Sequence, residues 1–203
     1  MKLHLCLTLA FSLAFIGCGG GHQTINPEWK TAPESITILV SEPYIANEDD
    51  VTDDFETVEK FRTWAVNYLD TSFSSYTNVK HSVKQVSDEF FEIVGLPIDK
   101  ETVNIPTPVV EKLEGINGFV VSIHPLRFWR EISPCLGGNG CIGNKHLNLM
   151  VAYSIVRVED KQIQAYGATY VDDTFTFAMT KGNWENVLEK IAKKIVKKTP
   201  LEK

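Results

Sequence analysis

The chain has 203 residues, of which 43% are hydrophobic and 23% are charged. These values are typical of a globular protein, and the length is sufficient for one domain with a substantial core. The formal net charge of −6 argues against a protein that binds nucleic acid or an anionic lipid surface through a broad basic face.

The first eighteen residues have the pattern of an export signal that ends at a cysteine. Lys2 precedes the apolar run Leu3–Ile16, whose roughly 14 residues are too few to cross a membrane, since about 20 are needed. Gly17 and Cys18 follow, and with them the segment resembles the lipobox of bacterial lipoproteins, in which the cysteine thiol is acylated and becomes the new N-terminus. Phe15 departs from the leucine that is usual at its place. The alternative is an ordinary secreted protein whose signal ends near a cysteine.

This resemblance implies three segments. Residues 1–17 are expected to be a signal peptide, residues 18–33 a flexible linker that follows the lipidated Cys18, and residues 34–203 a single globular domain. Three glycines and two prolines between residues 19 and 33 favour the linker. The acylated Cys18 is expected to hold the protein on the lipid bilayer. Because Gly19 is not aspartate, the resemblance favours the outer membrane, with the protein facing the periplasm.

The first half of the domain predicts strands that alternate with helices. Ser35–Val40 is short and β-branched, which is typical of a strand. Residues 53–69 combine a capping-box-like start with apolar side chains at helical spacing, which predicts an amphipathic helix. Val79–Val86 is predicted to be a short strand, and Ser87–Val94 a helix that Gly95 ends.

The second half predicts three strands between two helices. Val109–Glu114 is predicted to be a two-turn helix and Gly118–Ile123 a buried strand. Leu147–Val158 and Gln162–Val171 are predicted to form a hairpin across a tight turn. The last helix, with Asn183 as its cap, carries an apolar stripe that predicts packing in the core: Trp184, Val187, Leu188, Ile191, Ala192, Ile195 and Val196.

The predicted order of elements is β-α-β-α-α-β-β-β-α. Helices that alternate with strands, followed by a hairpin and a closing helix, indicate an α/β (mixed α+β) fold. The expected architecture is a single mixed β-sheet with helices packed over it.

Four segments of the domain resemble a group of bacterial envelope lipoproteins. They are Ile36–Val40, Val79–Gly95, Val109–Val121 and Val151–Gly167. The group includes the lipoprotein activators of peptidoglycan synthases, the curli-secretion lipoprotein and the N-terminal domain of the Tol-system periplasmic protein. The resemblance implies a non-enzymatic accessory module of envelope assembly that binds an envelope protein.

Catalytic motifs are not found in the sequence: neither Gly-x-Ser-x-Gly nor His-Glu-x-x-His occurs. We therefore expect no enzymatic activity, no cofactor, no metal and no nucleic-acid partner. Two alternatives stay open. One is a hydrolase or metal-dependent enzyme whose site is built from distant residues, and the other is a lipoprotein that binds a glycan or a peptide.

Two cysteines remain in the domain, Cys135 and Cys141. In an exported chain, where disulfides persist, they are predicted to form a disulfide. A ring this small stabilises the fold by about 2–2.5 kcal/mol according to the loop-entropy relation. The alternatives are a metal site shared with His124 and His146, since Cys and His suit zinc, and free thiols.

The cluster Arg127-Phe128-Trp129-Arg130 is the candidate partner-binding site. Trp and Arg are the residue types most enriched in interface hot spots, so we expect Arg127, Trp129 and Arg130 to contact an envelope partner. The alternative is an edge strand that turns Phe128 or Trp129 into the core.

Charge is unevenly distributed along the chain. The last segment, Lys181 to Lys203, has seven lysines and three glutamates. A helix C-terminus favours cations, which accounts for lysines at this place. The alternative is a surface that guides docking by its charge.

Overall fold

The computed structural model describes residues 22–132, 145–176 and 178–203. In these residues nine strands and three helices follow one another, with two short 3-10 turns at Asp88–Phe90 and Val110–Lys112. The strands are β1 (His22–Ile25), β2 (Ser35–Val40), β3 (Tyr44–Ile45), β4 (Lys80–Gln85), β5 (Phe91–Ile98), β6 (Glu101–Pro108), β7 (Phe119–Ile132), β8 (Lys145–Arg157) and β9 (Gln162–Phe175). The helices are α1 (Asp49–Phe55), α2 (Val58–Tyr76) and α3 (Lys181–Val196).

Seven of the strands form one mixed sheet in the order β1-β9-β8-β7-β2-β4, with β3 beside the far end of β7. β2 runs parallel to β4 and to β7, and β3 also runs parallel to β7. The other neighbours in this sheet are antiparallel, and β5 and β6 form a separate antiparallel hairpin. The predicted α/β (mixed α+β) class is confirmed.

The three helices cover one face of the sheet, which we call the helix face. All seven members of the predicted apolar stripe of α3 are buried there, so the prediction that this stripe packs in the core is confirmed. The helix begins one turn before the predicted cap. Thr180 is the N-cap, and its N–H donates a hydrogen bond to Asn183 Oδ1 at 2.9 Å. Asn183 therefore completes a capping box from the first turn.

The single helix predicted over residues 53–69 consists of two helices. Glu56 has a φ of 64°, which ends α1. The hydroxyl of Thr57 then accepts a hydrogen bond from the Lys60 N–H at 3.2 Å and caps α2. This break allows both Phe55 and Phe61 to turn their rings into the core, where their centroids are 5.1 Å apart.

The opposite face of the sheet, which we call the outer face, is covered in part by the β5–β6 hairpin. The predicted helix Ser87–Val94 is therefore wrong. Its last residues belong to β5, in which Val94, Leu96 and Ile98 are turned inward at every second position. Ile98 and Ile105 pack against Ala152 and Ala168 of the sheet. The predicted helix Val109–Glu114 is likewise only a 3-10 turn.

The predicted linker of residues 18–33 differs from the structure from His22 onward. β1 pairs with β9 as an edge strand of the sheet, and Trp29 is only 7% exposed. The Trp29 ring stacks on Phe119 with centroids 5.7 Å apart. An edge strand is held by backbone hydrogen bonds, which need no hydrophobic periodicity in its sequence. The predicted linker is therefore wrong from His22 onward, and residues 22–33 are part of the domain.

Several predicted features lie outside the described residues. They are the signal peptide, the lipidated Cys18 and the pair Cys135 and Cys141, so the lipidation and the disulfide stay predictions. Among the residues that the structure describes, no helix combines the length and the apolar character needed to span a membrane.

Candidate functional site

The hairpin covers only part of the outer face. Beyond Ala152 and Ala168, the next row of paired positions brings together Tyr44 of β3, Arg127 of β7, Met150 of β8 and Tyr170 of β9. Directly paired residues in a sheet share a face, so these four side chains form a row across four strands. We call this row, together with Trp129 two residues further along β7, the aromatic–arginine surface.

The aromatic–arginine surface exposes large side chains to solvent. Tyr44 is 53% exposed and Tyr170 is 37% exposed, and Arg127 is also exposed. The Arg127 guanidinium lies over the Tyr44 ring, 5.4 Å from its centroid. This cation–π contact holds two of the long side chains in place, so less conformational entropy is lost when a partner binds them.

Trp129 is half-buried beside polar neighbours. It pairs with Asn148 on β8, which in turn pairs with Asp172 on β9. Asn148 is only 5% exposed, and its Nδ2 atom has no hydrogen-bond partner in the described part of the chain. Asp172 accepts a hydrogen bond at 3.2 Å from Nδ1 of His146, when that nitrogen carries a proton. The surface therefore combines an aromatic centre with polar groups at its edge.

Arg130 lies on the opposite face from Arg127 and Trp129, because successive side chains of a strand point to opposite faces. Its guanidinium donates a hydrogen bond to Asp50 Oδ1 at 2.7 Å and lies over the Phe175 ring. The Asp50 side chain is only 10% exposed, so Arg130 neutralises a nearly buried carboxylate and ties α1 to the sheet. Phe128 is fully buried on this same face, as the core alternative proposed.

A cleft of about 720 Å³ opens at the carboxyl ends of β2 and β4. After β2 the chain crosses to the helix face, whereas after β4 it crosses to the outer face to form the hairpin. Divergence of two neighbouring parallel strands in this way creates the crevice in which α/β sheets bind ligands. Its lining includes Glu42, Tyr44, Arg62, Asp88 and His124.

Arg62, which lines the cleft, is close to three carboxylates, of which Glu42 also lines it. Its guanidinium is 2.8 Å from Glu42, 3.7 Å from Glu59 and 4.0 Å from Glu48. The Nε atom is buried and, among the described residues, has no hydrogen-bond partner. A single cation among three carboxylates leaves this part of the cleft negatively charged.

His124 reaches the cleft because β7 bulges at this position. Ile123 pairs with Tyr153 and Leu126 with Val151, so two residues, His124 and Pro125, lie opposite one residue of β8. The His124–Pro125 peptide bond is cis. The bulge explains how a proline fits within a central strand, where the sequence had predicted that the strand ends.

The His124 ring is held between an aromatic ring and a carboxylate. It stacks on Phe91 with centroids 5.2 Å apart, and its Nδ1 atom is 3.4 Å from Asp88 Oδ1. Burial lowers the pKa of His124 below its ordinary value, and the Asp88 carboxylate opposes this shift in part. His124 therefore favours its neutral form at neutral pH.

Replacing Asp88 by asparagine should lower the pKa of His124 further, because it removes the charge that stabilises the imidazolium. NMR titration of the histidine ring signals would measure this change. Asp172→Asn, next to His146, is the matched control and should leave the pKa of His124 unchanged. An unchanged or raised pKa in Asp88→Asn would contradict the arrangement.

The lowered pKa of His124 also determines how the stability of the fold depends on pH. The unfolded chain binds a proton at His124 more readily than the folded chain does. The stability is therefore fully present above the pKa of an unfolded histidine, and part of it is lost as the pH falls from that value through the lower pKa of His124 in the folded chain.

The predicted metal alternative would need His124 and His146 to be close together. They lie at different places, because His124 is at the bulge, whereas His146 pairs with Glu131, seven residues further along β7. At the rise of a strand this is a separation of roughly 20 Å. Within the described ranges, no group of three or more Cys, His, Asp or Glu residues is arranged to hold a metal ion.

No protein-family model and no curated protein matches the chain. Solved structures that are similar to it include the PelC dodecamer from Paraburkholderia phytofirmans, with 9% identity, a TM-score of 0.41, and coverage of 91% of this chain and 100% of that chain. A minor lipoprotein from Acinetobacter baumannii has 13% identity and a TM-score of 0.35, and the match covers 80% of this chain and 88% of that chain. Lipoprotein GNA1162 from Neisseria meningitidis has 9% identity and a TM-score of 0.31, with 81% and 99% coverage. Bacterial lipoproteins are thus among the structures that the chain resembles, but a likeness this distant assigns it no function.

Proposed function

We propose that the protein is a non-enzymatic, lipid-anchored accessory module of the cell envelope, which binds an envelope protein through the aromatic–arginine surface. The anchor in this proposal is Cys18, acylated and embedded in the bilayer. The outer membrane, with the domain facing the periplasm, is the proposed location, because the residue after Cys18 is glycine rather than aspartate.

The observation that supports this function is the row of large side chains on the part of the outer face that no other described element covers. Tyr, Trp, Met and Arg are the residue types enriched at protein interfaces. Here Tyr44, Arg127, Met150 and Tyr170 share one face in consecutive paired positions. Rigid strands hold them, so binding a partner orders few additional groups.

In-cell crosslinking of a tagged full-length copy, followed by quantitative mass spectrometry, tests the proposal. The variant Arg127→Ala/Trp129→Ala should reduce the yield of the crosslinked envelope protein at least tenfold, because truncation of an interface hot spot costs about 2 kcal/mol or more. Arg130 is left intact in this variant, since its contact with Asp50 stabilises the fold.

The matched control is Lys84→Ala/Ile93→Ala, which also removes one cation and one exposed hydrophobic side chain, but on β4 and β5. It should leave the crosslinked yield unchanged. Equal yields from the two variants would rule out the aromatic–arginine surface as the binding site. Thermal melts of both variants check that each of them is folded.

The cleft favours a second candidate function, the binding of a peptide or glycan segment. It has the volume of a ligand site and combines hydrogen-bonding groups with the exposed Tyr44 ring. The same experiment separates the two functions through the variant Glu42→Ala/Asp88→Ala. Loss of the crosslinked species in this variant, with its retention in Arg127→Ala/Trp129→Ala, would favour the cleft.

A further inference from the structure

We propose that the β1 edge of the sheet and the end of α3 lie against the anionic headgroups of the bilayer that holds Cys18. This inference rests on the proposed lipid anchor and extends it, because it assigns a membrane-facing side to the folded domain. We call Lys193, Lys197 and Lys198 the basic end of α3. The three lysines are exposed.

A short connection limits how far the domain can stand from the membrane. Only three residues separate Cys18 from His22, where β1 begins. Four residue steps span at most about 14 Å even when fully extended. A linker that extended to residue 33 would let the domain move freely above the membrane. A connection of three residues instead keeps the β1 edge next to the headgroups.

The end of α3 lies beside β1. The side-chain amide of Gln23 donates a hydrogen bond at 3.1 Å to the carbonyl of Ile195, in the last turn of the helix. Lys194 donates to Thr169 Oγ1 at 3.1 Å and to the Tyr170 carbonyl at 3.0 Å, next to the position on β9 that pairs with His22. The short connection between Cys18 and His22 therefore brings the end of α3, together with β1, close to the membrane.

The charge at this edge suits an anionic lipid surface. The chain as a whole is negative, but residues 193–203, which include the last turn of α3, hold five lysines and one glutamate. Two carboxylates lie at this edge, and each has a partner there: Asp99 pairs with His22, and Glu202 accepts a hydrogen bond from the Lys198 N–H at 2.7 Å, which leaves the lysines in excess. Each lysine close to an anionic membrane adds to the attraction, and the effect falls off within a Debye length of about 10 Å.

Lysine footprinting of the full acylated chain in lipid vesicles tests this inference. Acetylation of lysines, measured by mass spectrometry, is compared between vesicles of phosphatidylcholine alone and vesicles that also contain phosphatidylglycerol. The basic end of α3 should react at least threefold more slowly in the anionic vesicles. Lys80 and Lys84 on β4, at the opposite edge of the sheet, should react equally in both.

Charge reversal provides the matched variants. Lys197→Glu/Lys198→Glu should abolish the lipid-dependent protection of Lys193, whereas Lys80→Glu/Lys84→Glu, with the same change in net charge, should keep it. Flotation with neutral vesicles measures the anchor separately. A chain that fails to float would overturn the anchor and this inference with it. A chain that floats but has the same lysine footprint in both vesicles would overturn this inference alone.

Discussion

Replacing Trp184 by alanine should lower the free energy of unfolding by about 3–5 kcal/mol, the range for truncating a large aromatic side chain in a core. Trp184 is 1% exposed and lies where three helices meet the sheet. Its ring packs on Phe61 of α2 at 4.7 Å, on Phe128 of β7 at 5.7 Å and on Phe55 of α1 at 6.0 Å between centroids. Its Nε1–H also donates a hydrogen bond to Asp54 Oδ2 at 3.2 Å, which alanine would leave unmade.

Urea unfolding followed by far-UV circular dichroism measures this loss as a lower transition midpoint. Trp129→Ala is the matched control within the same chain, because Trp129 lies on the uncovered outer face, and its truncation should cost less than about 1 kcal/mol. Trp184→Phe keeps part of the ring packing and should fall between the two. Equal midpoints for Trp184→Ala and Trp129→Ala would contradict the packing described for α3.

The parts of the fold that the sequence predicts well are those with a long local pattern. The stripe of α3 extends over almost four turns, from Trp184 to Val196, and only a helix places all of its members on one side. The β8–β9 hairpin is equally clear, because two long apolar runs are joined by a tight turn. In such segments, the local preference and the tertiary packing agree.

The predictions for shorter segments are wrong where tertiary packing, rather than the local sequence, determines the secondary structure. Ser87–Val94 has apolar residues that fit a helix, and Gly95 matched a helix stop. In the structure Gly95 lies inside β5, opposite Asn104. What selects the strand is the pairing of β5 with β6 and the packing of their inner side chains on the sheet, and neither is encoded within one segment. The sequence does not predict β1 for the same reason, because its pairing with β9 selects the strand.

Only two residues of the aromatic–arginine surface, Arg127 and Trp129, are among those that the sequence suggests. Residue type alone suggests Arg127, Trp129 and Arg130 together, and it does not separate them by the face of a strand on which they lie. Alternation along β7 sends Arg130 to the helix face. Tyr44, Met150 and Tyr170 were missed, since they come from three other strands and meet Arg127 only through the register of the sheet.

The cleft could not be predicted from the sequence. His124 is separated from Asp88 and Arg62 by dozens of residues, and it enters the cleft through a bulge that only the pairing of β7 with β8 reveals. Four of the charged residues of the cleft region (Glu42, Glu48, Glu59 and Arg62) are nevertheless near one another in the sequence. Of these four, Glu42 and Arg62 line the cleft, and all three glutamates lie within 4.0 Å of the Arg62 guanidinium.

Gly167→Ala should destabilise the protein by about 1–3 kcal/mol and release β1 from the sheet. A Cβ atom at Gly167 would lie 2.6 Å from the backbone oxygen of His22 and 3.0 Å from the hydroxyl of Tyr153. Backbone atoms cannot turn aside as a side chain can, so the strands must separate, and overpacking of this kind costs a few kcal/mol at most. A glycine within a strand is a sequence signal of such a close approach.

Hydrogen exchange would detect the release, because the amides of residues 22–26 should exchange faster in Gly167→Ala than in the unmodified protein. Gly182→Ala is the matched control. At Gly182, in the first turn of α3, the nearest atom to an added Cβ is Thr180 Oγ1 at 3.6 Å, so alanine fits and should be neutral or stabilising by up to about 1 kcal/mol. Unchanged exchange in Gly167→Ala would mean that β1 does not depend on this contact.

Release of β1 also lengthens the connection to Cys18, so in anionic vesicles the Gly167→Ala variant should lose the protection of Lys197 and Lys198 as well. The short tether and the packing at Gly167 would then act together to keep the domain against the membrane.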